Sequence, residues 1–351
     1  MRPRRLRSLH RRAPVPVAAA VGRLGAIART AIVTALVSAI SAISATGAVA
    51  QDVAKEGALF LLVPIGARAV GQGQAAVASR LSGEAIWWNP AALGWSIRRE
   101  FTIDYSKNFL LTGTAANAVF PAGKAGVLSA SLLHFNFGDQ LSTDQFGATI
   151  GTLYSKAAVF ATSYSATFGD RVSVGLTYKY LQQSQSCGGS CQGVLTYLVS
   201  TSAFDLGAHV VAGTTRALTV GAVARNVGFC IQVVDTEQCD PVPARLHAGA
   251  DYRIDAVSRA APGLTLHFTG EVVSRLGFDD SAFRAGAEFG VAERYFLRGG
   301  MLTASGDGST AAVGLGVRQG ALGLEFARTF GGLSSDAGEP PTYLTVRFMF
   351  R

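Results

Sequence analysis

Four cysteines and the four scattered histidines beyond residue 50 are the side chains here best equipped for chemistry, and their spacing argues against most of it. Cys187 and Cys191 form a C-x3-C, and Cys230 and Cys239 a distant C-x8-C. That pattern fits no standard zinc spacing, so no metal is expected. Both pairs lie in Gly/Ser- or Asp/Pro-containing stretches of a chain that carries an export signal, where disulfides are the expected state. Four cysteines allow three connectivities, and the sequence leaves the choice open. His134, His209, His247 and His267 fall in separate segments. A hydrolase needs a serine and a histidine within hydrogen-bond reach. Nothing in the sequence selects such a serine, so no enzyme and no catalytic residue is expected. Gly71-Gln72-Gly73-Gln74-Ala75-Ala76 is loosely similar to a dinucleotide fingerprint. It lacks the strand, helix and acidic partner that would make it one, and no cofactor is expected.

The elements around these residues are strands with one apolar face. In residues 171–181, Val172, Val174, Leu176, Tyr178 and Tyr180 alternate with Arg171, Ser173, Gly175, Thr177 and Lys179. Residues 245–255 and 264–272 repeat the pattern, with Arg245, His247 and Asp251, then His267 and Glu271, on the polar side. Strict alternation over about ten residues is a strand that shows apolar side chains one way only. Fourteen such segments follow one another, at 99–106, 112–120, 125–137, 156–168, 171–183, 201–212, 217–229, 244–254, 263–275, 281–290, 294–304, 309–319, 320–330 and 342–350.

Composition says what the apolar side faces. The chain of 351 residues is 49% hydrophobic and 15% charged, with 41 glycines. Beyond residue 50 it has no 18-residue apolar run, so no helical span is expected. Alternating membrane strands give this combination, because each shows lipid only every second residue. The reading is an all-β, transmembrane antiparallel β-barrel of about 14 strands. A soluble β-sandwich also alternates. Against it stand the export signal and aromatic residues near strand ends, such as Phe101, Tyr105, Phe120, Phe168, Tyr180, Phe330, Tyr343 and Phe350, which fit interfacial girdles. Short connections after strands two, four, six, ten and twelve alternate with longer ones at 138–155, 184–200, 230–243 and 331–341. By the outer-membrane rule the short turns are periplasmic and both cysteine pairs lie outside the cell. The polar parity then makes Lys179, Arg245, Asp251, His267 and Glu271 lumen-facing. Arg328 has lipid-facing parity and needs to snorkel.

The formal charge of +8 points to nucleic acid only at first sight. Eight of the 31 basic residues are arginines within the first fifty positions, leaving 23 against 23 acidic residues. Nucleic acid is therefore not expected as a partner. Those fifty residues read as a secretory signal: a long basic start, an apolar stretch over 31–43, and Ala48-Val49-Ala50 before Gln51. The domain reading is a signal at 1–50, an N-terminal plug or lead-in segment at 51–98, and the barrel at 99–351.

The start of the exported part carries a resemblance. Gly66, Ala67, Arg68, Ala69, Gly71, Gly73 and Ala75, then Asn89, Pro90, Ala91 and Leu93, stand where the PorV/PorQ family of outer-membrane proteins has its own N-terminal motif. That family is related to the FadL fatty-acid channel. The stretches Ala203-Phe204-Asp205-Leu206-Gly207 and Arg225-Asn226-Val227-Gly228 are similar too. Gln72, Gln74 and Leu81-Ser82-Gly83-Glu84 depart from the family pattern. The resemblance implies an interaction role, with secreted cargo or secretion-system components as partners in type IX secretion or surface attachment. The alternative it implies is a FadL-like channel for hydrophobic small molecules, in which the plug moves and the ligand leaves laterally. Outer-membrane lipid surrounds the barrel in either reading. Arg68 is expected to pair with Glu271, Glu288 or Glu325 if the segment enters the lumen. A segment packed on the periplasmic rim is the other possibility.

Overall fold

The computed structural model describes residues 56–350, apart from 192–193, 234–238, 279–280, 305–307 and 332–337. The expected signal at 1–50 lies outside the described residues. Fourteen antiparallel strands close into one barrel, each paired with its sequence neighbours and the last with the first. They are β1 Arg99–Lys107, β2 Thr112–Pro121, β3 Val127–Thr143, β4 Thr149–Phe168 and β5 Val172–Gly189. Next come β6 Tyr197–Ala212, β7 Leu218–Gly228, β8 Arg245–Arg253, β9 Leu264–Arg275 and β10 Ala282–Val291. The circuit ends with β11 Tyr295–Ala304, β12 Gly308–Gln319, β13 Leu322–Phe330 and β14 Thr342–Phe350. The β1–β14 seam runs in unbroken register from Arg99 opposite Phe350 to Lys107 opposite Thr342.

The alternation decides which way each side chain points. On β5, Ser173, Thr177 and Lys179 are buried, while Leu176 is 48% exposed. Around the outside, Leu128, Leu132, Phe160, Phe268, Leu297, Leu315 and Leu324 are all exposed, while Arg347, Glu84 and His209 are fully buried. A soluble domain has the opposite arrangement, and an apolar coat of this extent is stable only in lipid. No described helix is long and apolar enough to cross a membrane. With every strand edge paired, the backbone meets the requirement of a lipid-embedded sheet. The molecule is an outer-membrane β-barrel.

Strands of nine residues at about 3.3 Å each, tilted by about 40°, match an apolar band about 25 Å tall. β3 to β6 are far longer, at 17, 20, 18 and 16 residues, and the extra length lies at one end. Much of the expected loops 138–155 and 184–200 is therefore strand, and this side of the barrel stands up as a wall. A register shift after Asn136 bends it where it leaves the shorter strands. At the opposite end the turns are short, except that a helix, α3 (Asp255–Ala260), joins β8 to β9. Disulfides join Cys187 to Cys191 and Cys230 to Cys239 at the long-hairpin end. Phe101, Tyr105, Phe120, Tyr180, Phe330 and Phe350 are exposed on the outside. Tyr343 is not a girdle residue: it is buried, and it packs with Ala67, Val70 and Ala327. Arg328 points outward with its guanidinium over the Phe330 ring, 5.8 Å from the centroid.

Candidate functional site

The lumen is filled by the segment that precedes β1. It is built of short turns rather than long elements: helix α1 (Ala67–Gly71), helix α2 (Ala85–Trp88), and 3-10 turns at Leu59–Leu62, Ser82–Glu84 and Pro90–Trp95. Glu56 sits at the long-hairpin end, where Arg245 forks onto its carboxylate with two bonds of 2.7 Å. From there the chain descends through the lumen, folds back, and leaves at the short-turn end into Arg99.

Glycines on the barrel wall make this filling possible. A Cβ on Gly175 would lie 2.4 Å from Pro90 C, on Gly207 2.0 Å from Asn89 Oδ1, and on Gly221 2.3 Å from Val77 O. On β10 and β11, a Cβ on Gly286 would meet Gln72 O at 2.2 Å, and on Gly300 Gly73 N at 2.2 Å. Gly71 approaches Gly314 with similar closeness. All but the contact of Gly207 with the Asn89 amide run backbone against backbone, and none leaves room for a larger residue. Gly66 supplies the remaining requirement: its φ of +89° and the Glu84 carboxylate beside it both exclude a side chain.

Arg68 enters the lumen and pairs with Glu288 alone of the three expected carboxylates. Its Nε and Nη2 each donate to Glu288 at 3.1 Å, and Nη1 donates to the Arg80 carbonyl at 3.2 Å. Glu325 lies on Arg298 at 3.1 Å and Arg347 at 3.5 Å. Glu271 accepts from the backbone N–H groups of Ala76 and Val77 at 2.7 and 2.8 Å, and also meets His247 and Arg284. Glu84, which the sequence offers only as a departure from a family pattern, receives Arg347 Nη2 at 3.0 Å and the Ala69 N–H at 3.2 Å. Arg347 also donates to Glu100 and to the Leu81 carbonyl. The result is one connected network of Arg68, Glu288, Arg298, Glu325, Arg347, Glu84 and Glu100. Each charge needs several partners, because a buried ion is tolerable only when paired.

Asn89 and Pro90 use no charge. Asn89 takes the extended conformation that a following proline favours and caps the 3-10 turn by accepting from Ala91 N at 3.1 Å. Its Nδ2 donates to Val77 O at 2.8 Å, with Ala208 O and Ala222 O just beyond. His209 Nε2 donates to the same Val77 carbonyl at 2.6 Å. Pro90 holds the first position of the turn, where its missing N–H costs nothing. Trp87 donates to Asn117 and Trp88 to the Ile65 carbonyl, both at 2.8 Å.

The remaining residues expected in the lumen are there too. Lys179 is buried against Asp205 and Asn226, each at 2.7 Å, at the point where β7 carries a bulge. Asp251 accepts from Ser79 and pairs with His267. Sequence parity identifies these as inward-facing but misses Arg347, Arg298, Glu100 and Arg284 as participants. Their parity is equally readable; which of them meet depends on cross-strand register. Among the described residues no group of His, Cys, Asp and Glu is arranged to hold a metal.

Above the network, toward the long-hairpin end, lies a different recess. Phe60, Leu61, Ile65, Trp87, Trp88 and Leu133 form its walls, and Lys179, Arg225 and Arg284 reach it. Arg225 and Arg284 both lie over the Trp88 ring, at 5.5 and 5.9 Å from its centroid. Its free space, about 20 Å³, is close to that of a single water.

No family model matches the chain, and no curated protein does. The resemblance to the PorV/PorQ family therefore rests on the N-terminal motif and the stretches at 203–207 and 225–228 alone. Solved structures do match in fold. The Ralstonia pickettii toluene transporter TbuX aligns with a TM-score of 0.54 at 14% identity, over 82% of this chain and 98% of its own. The CymD monoaromatic hydrocarbon channel gives 0.55 at 13%, over 83% and 98%. A Pseudomonas aeruginosa FadL homologue gives 0.52 at 12%, over 82% and 99%. At such identities the likeness is one of architecture: the chain has the fold of the FadL-type fourteen-stranded outer-membrane barrels.

Proposed function

We propose that this barrel is an outer-membrane conduit for small hydrophobic molecules, stoppered by residues 56–98, with its short-turn end in the periplasm. The observation that carries the reading is the recess walled by Phe60, Leu61, Ile65, Trp87, Trp88 and Leu133, with Lys179, Arg225 and Arg284 at its edge. An aromatic guest gains by leaving water for such walls. The fold is that of proteins described as toluene and monoaromatic hydrocarbon channels. Because the recess is nearly closed, a guest the size of toluene enters only if 59–65 move aside. The secretion role implied by the motif at 66–93 has no comparable support in the lumen or in the fold matches.

The test is uptake of labelled toluene by cells that carry this barrel as their only hydrocarbon channel. Wild type should take it up faster than cells without the barrel. Trp87→Asp, which places a charge in the recess, should abolish the difference while leaving a heat-modifiable barrel. Equal uptake with and without the wild-type barrel would end the proposal. Loss of surface-attached proteins on deletion of the barrel, with toluene uptake unchanged, would establish the secretion reading in its place.

A further inference from the structure

At the short-turn mouth the insert leaves an open chamber whose lining is dominated by arginine. One lobe, about 300 Å³, is bounded by Arg68, Arg80, Arg98, Arg318 and Arg347 together with Ser82, Trp95 and Ser96. A second, about 380 Å³, shares Arg80 and Trp95 and adds Arg216 and Arg253. The carboxylates here are spoken for or outnumbered. Asp170 pairs with Arg216, Asp255 with Arg253, and Glu100 with Arg347, leaving Glu293 as the other acidic group in the first lobe. Among the described residues no carboxylate lies within ion-pair distance of Arg80, Arg98 or Arg318.

Two of these cations are held in place without being neutralised. The Arg80 guanidinium lies over the Trp95 ring, 5.0 Å from its centroid, and that of Arg318 over the Phe296 ring at 5.3 Å. Stacking on an aromatic face fixes a guanidinium plane while leaving its N–H edge free to donate. Three further donors in the same lining are buried and unpartnered: Trp95 Nε1, Ser96 Oγ and Arg347 Nε. An unmet buried donor is destabilising until a ligand satisfies it. Oriented guanidinium edges with spare neutral donors between them match a compact group with several acceptor oxygens.

We infer that this chamber is a binding site for an oxyanion, a phosphate or carboxylate group, held by Arg80 and Arg318 with Trp95 and Ser96 as neutral donors. It is separate from the recess of Trp87 and Trp88. The group could belong to a free solute or to an anionic lipid headgroup.

The test uses the full exported chain in a neutral detergent at low salt, titrated with inorganic phosphate in one arm and acetate in another. Binding is read by calorimetry and by tryptophan fluorescence. In a third arm the barrel meets vesicles of phosphatidylcholine with or without phosphatidylglycerol. Saturable binding of either anion in detergent assigns a free solute. Binding only to vesicles that contain phosphatidylglycerol assigns a headgroup. In both cases R80Q combined with R318Q should weaken binding at least tenfold, and added salt should weaken it in wild type. W95F should remove the fluorescence response. Neither Arg80 nor Arg318 has an ion pair to lose, so the double variant should keep its heat-modifiable mobility. Absence of saturable binding in every arm, or binding undiminished in the double variant, would overturn the inference.

Discussion

The insert has two limbs, and the barrel holds them by different chemistry. The first, residues 66–84, brings Arg68 and Glu84 into the ion network and hands backbone N–H groups to Glu271. The second, 85–95, contains no charged residue at all. It is held by Asn89, by two indole N–H bonds, by Ser173 donating to Ala91 O at 2.7 Å, and by wall glycines beneath Pro90 and Asn89. The difference shows in what is left behind if each limb leaves. Glu288 keeps Arg298, Glu271 keeps Arg284 and His247, and Arg347 keeps Glu100 and Glu325. The barrel's ions remain paired without the first limb. The second limb leaves only uncharged groups. Wall glycines meet both limbs, at Gln72, Gly73 and Val77 in the first and at Asn89 and Pro90 in the second, so the limbs differ in charge. The ion pairs of the first can be exchanged for others, whereas the uncharged bonds of the second have no substitute and make it the anchor.

That contrast can be attacked from its strongest point downward. Arg347 serves both the limb, through Glu84, and the barrel's own network, through Glu100 and Glu325, so R347A should cost about 3–5 kcal/mol, the range for breaking a buried pair. Thermal unfolding in detergent, followed by gel mobility, should show the largest drop in midpoint of any variant here. A small drop would mean that the carboxylates around Arg347 find other partners and that the network is not a unit. Next come changes to the anchor. N89A removes a cap and buried donors and should cost about 1–2 kcal/mol. G207A, which would press a methyl onto the same amide, should cost about 1–3 kcal/mol by overpacking. Both should make cells sensitive to large antibiotics as the limb lifts. The smallest effect should come from R68Q. The Arg68 side chain is 18% exposed, and the pair it leaves is completed by Arg298. Its cost should be about 1 kcal/mol or less, near the value for solvent-screened pairs. If R68Q proves more damaging than N89A, the division into a releasable limb and an anchor is wrong.

The strands were legible because lipid enforces the rule that alternation reads: every second residue in the membrane must be apolar, as in Leu176, Tyr178 and Tyr180. Outside the membrane that pressure stops. Ser184, Gln185 and Ser186 are polar on both faces, so nothing in them says strand, yet the ladder with β6 runs on through Ser184 and Gln185. Backbone hydrogen bonds carried the sheet past the point where side chains advertise it. Tyr343 failed for a related reason. Aromatic type near a strand end suggests a girdle, but parity puts it inward and Val70 fills the space beside it. Within the insert, Arg68, Asn89 and the glycines could be picked out by type. The charged partners of Arg68 and Glu84 could not, because each lies more than two hundred residues away in sequence and is delivered by the register of the closed barrel.

The β1–β14 seam has a meaning for how the molecule is assembled. The strand that completes the circle is also the strand that carries Arg347, and two of that side chain's partners, Glu84 and Glu100, lie in the insert and in the first strand. Until β14 docks, those two acids lack this cation, and the circle has two open edges. Afterwards neither condition holds. A chain that arrives N-terminus first thus receives its final strand and the lock on its filling at one moment, so that no finished barrel of this kind need ever stand empty in the membrane.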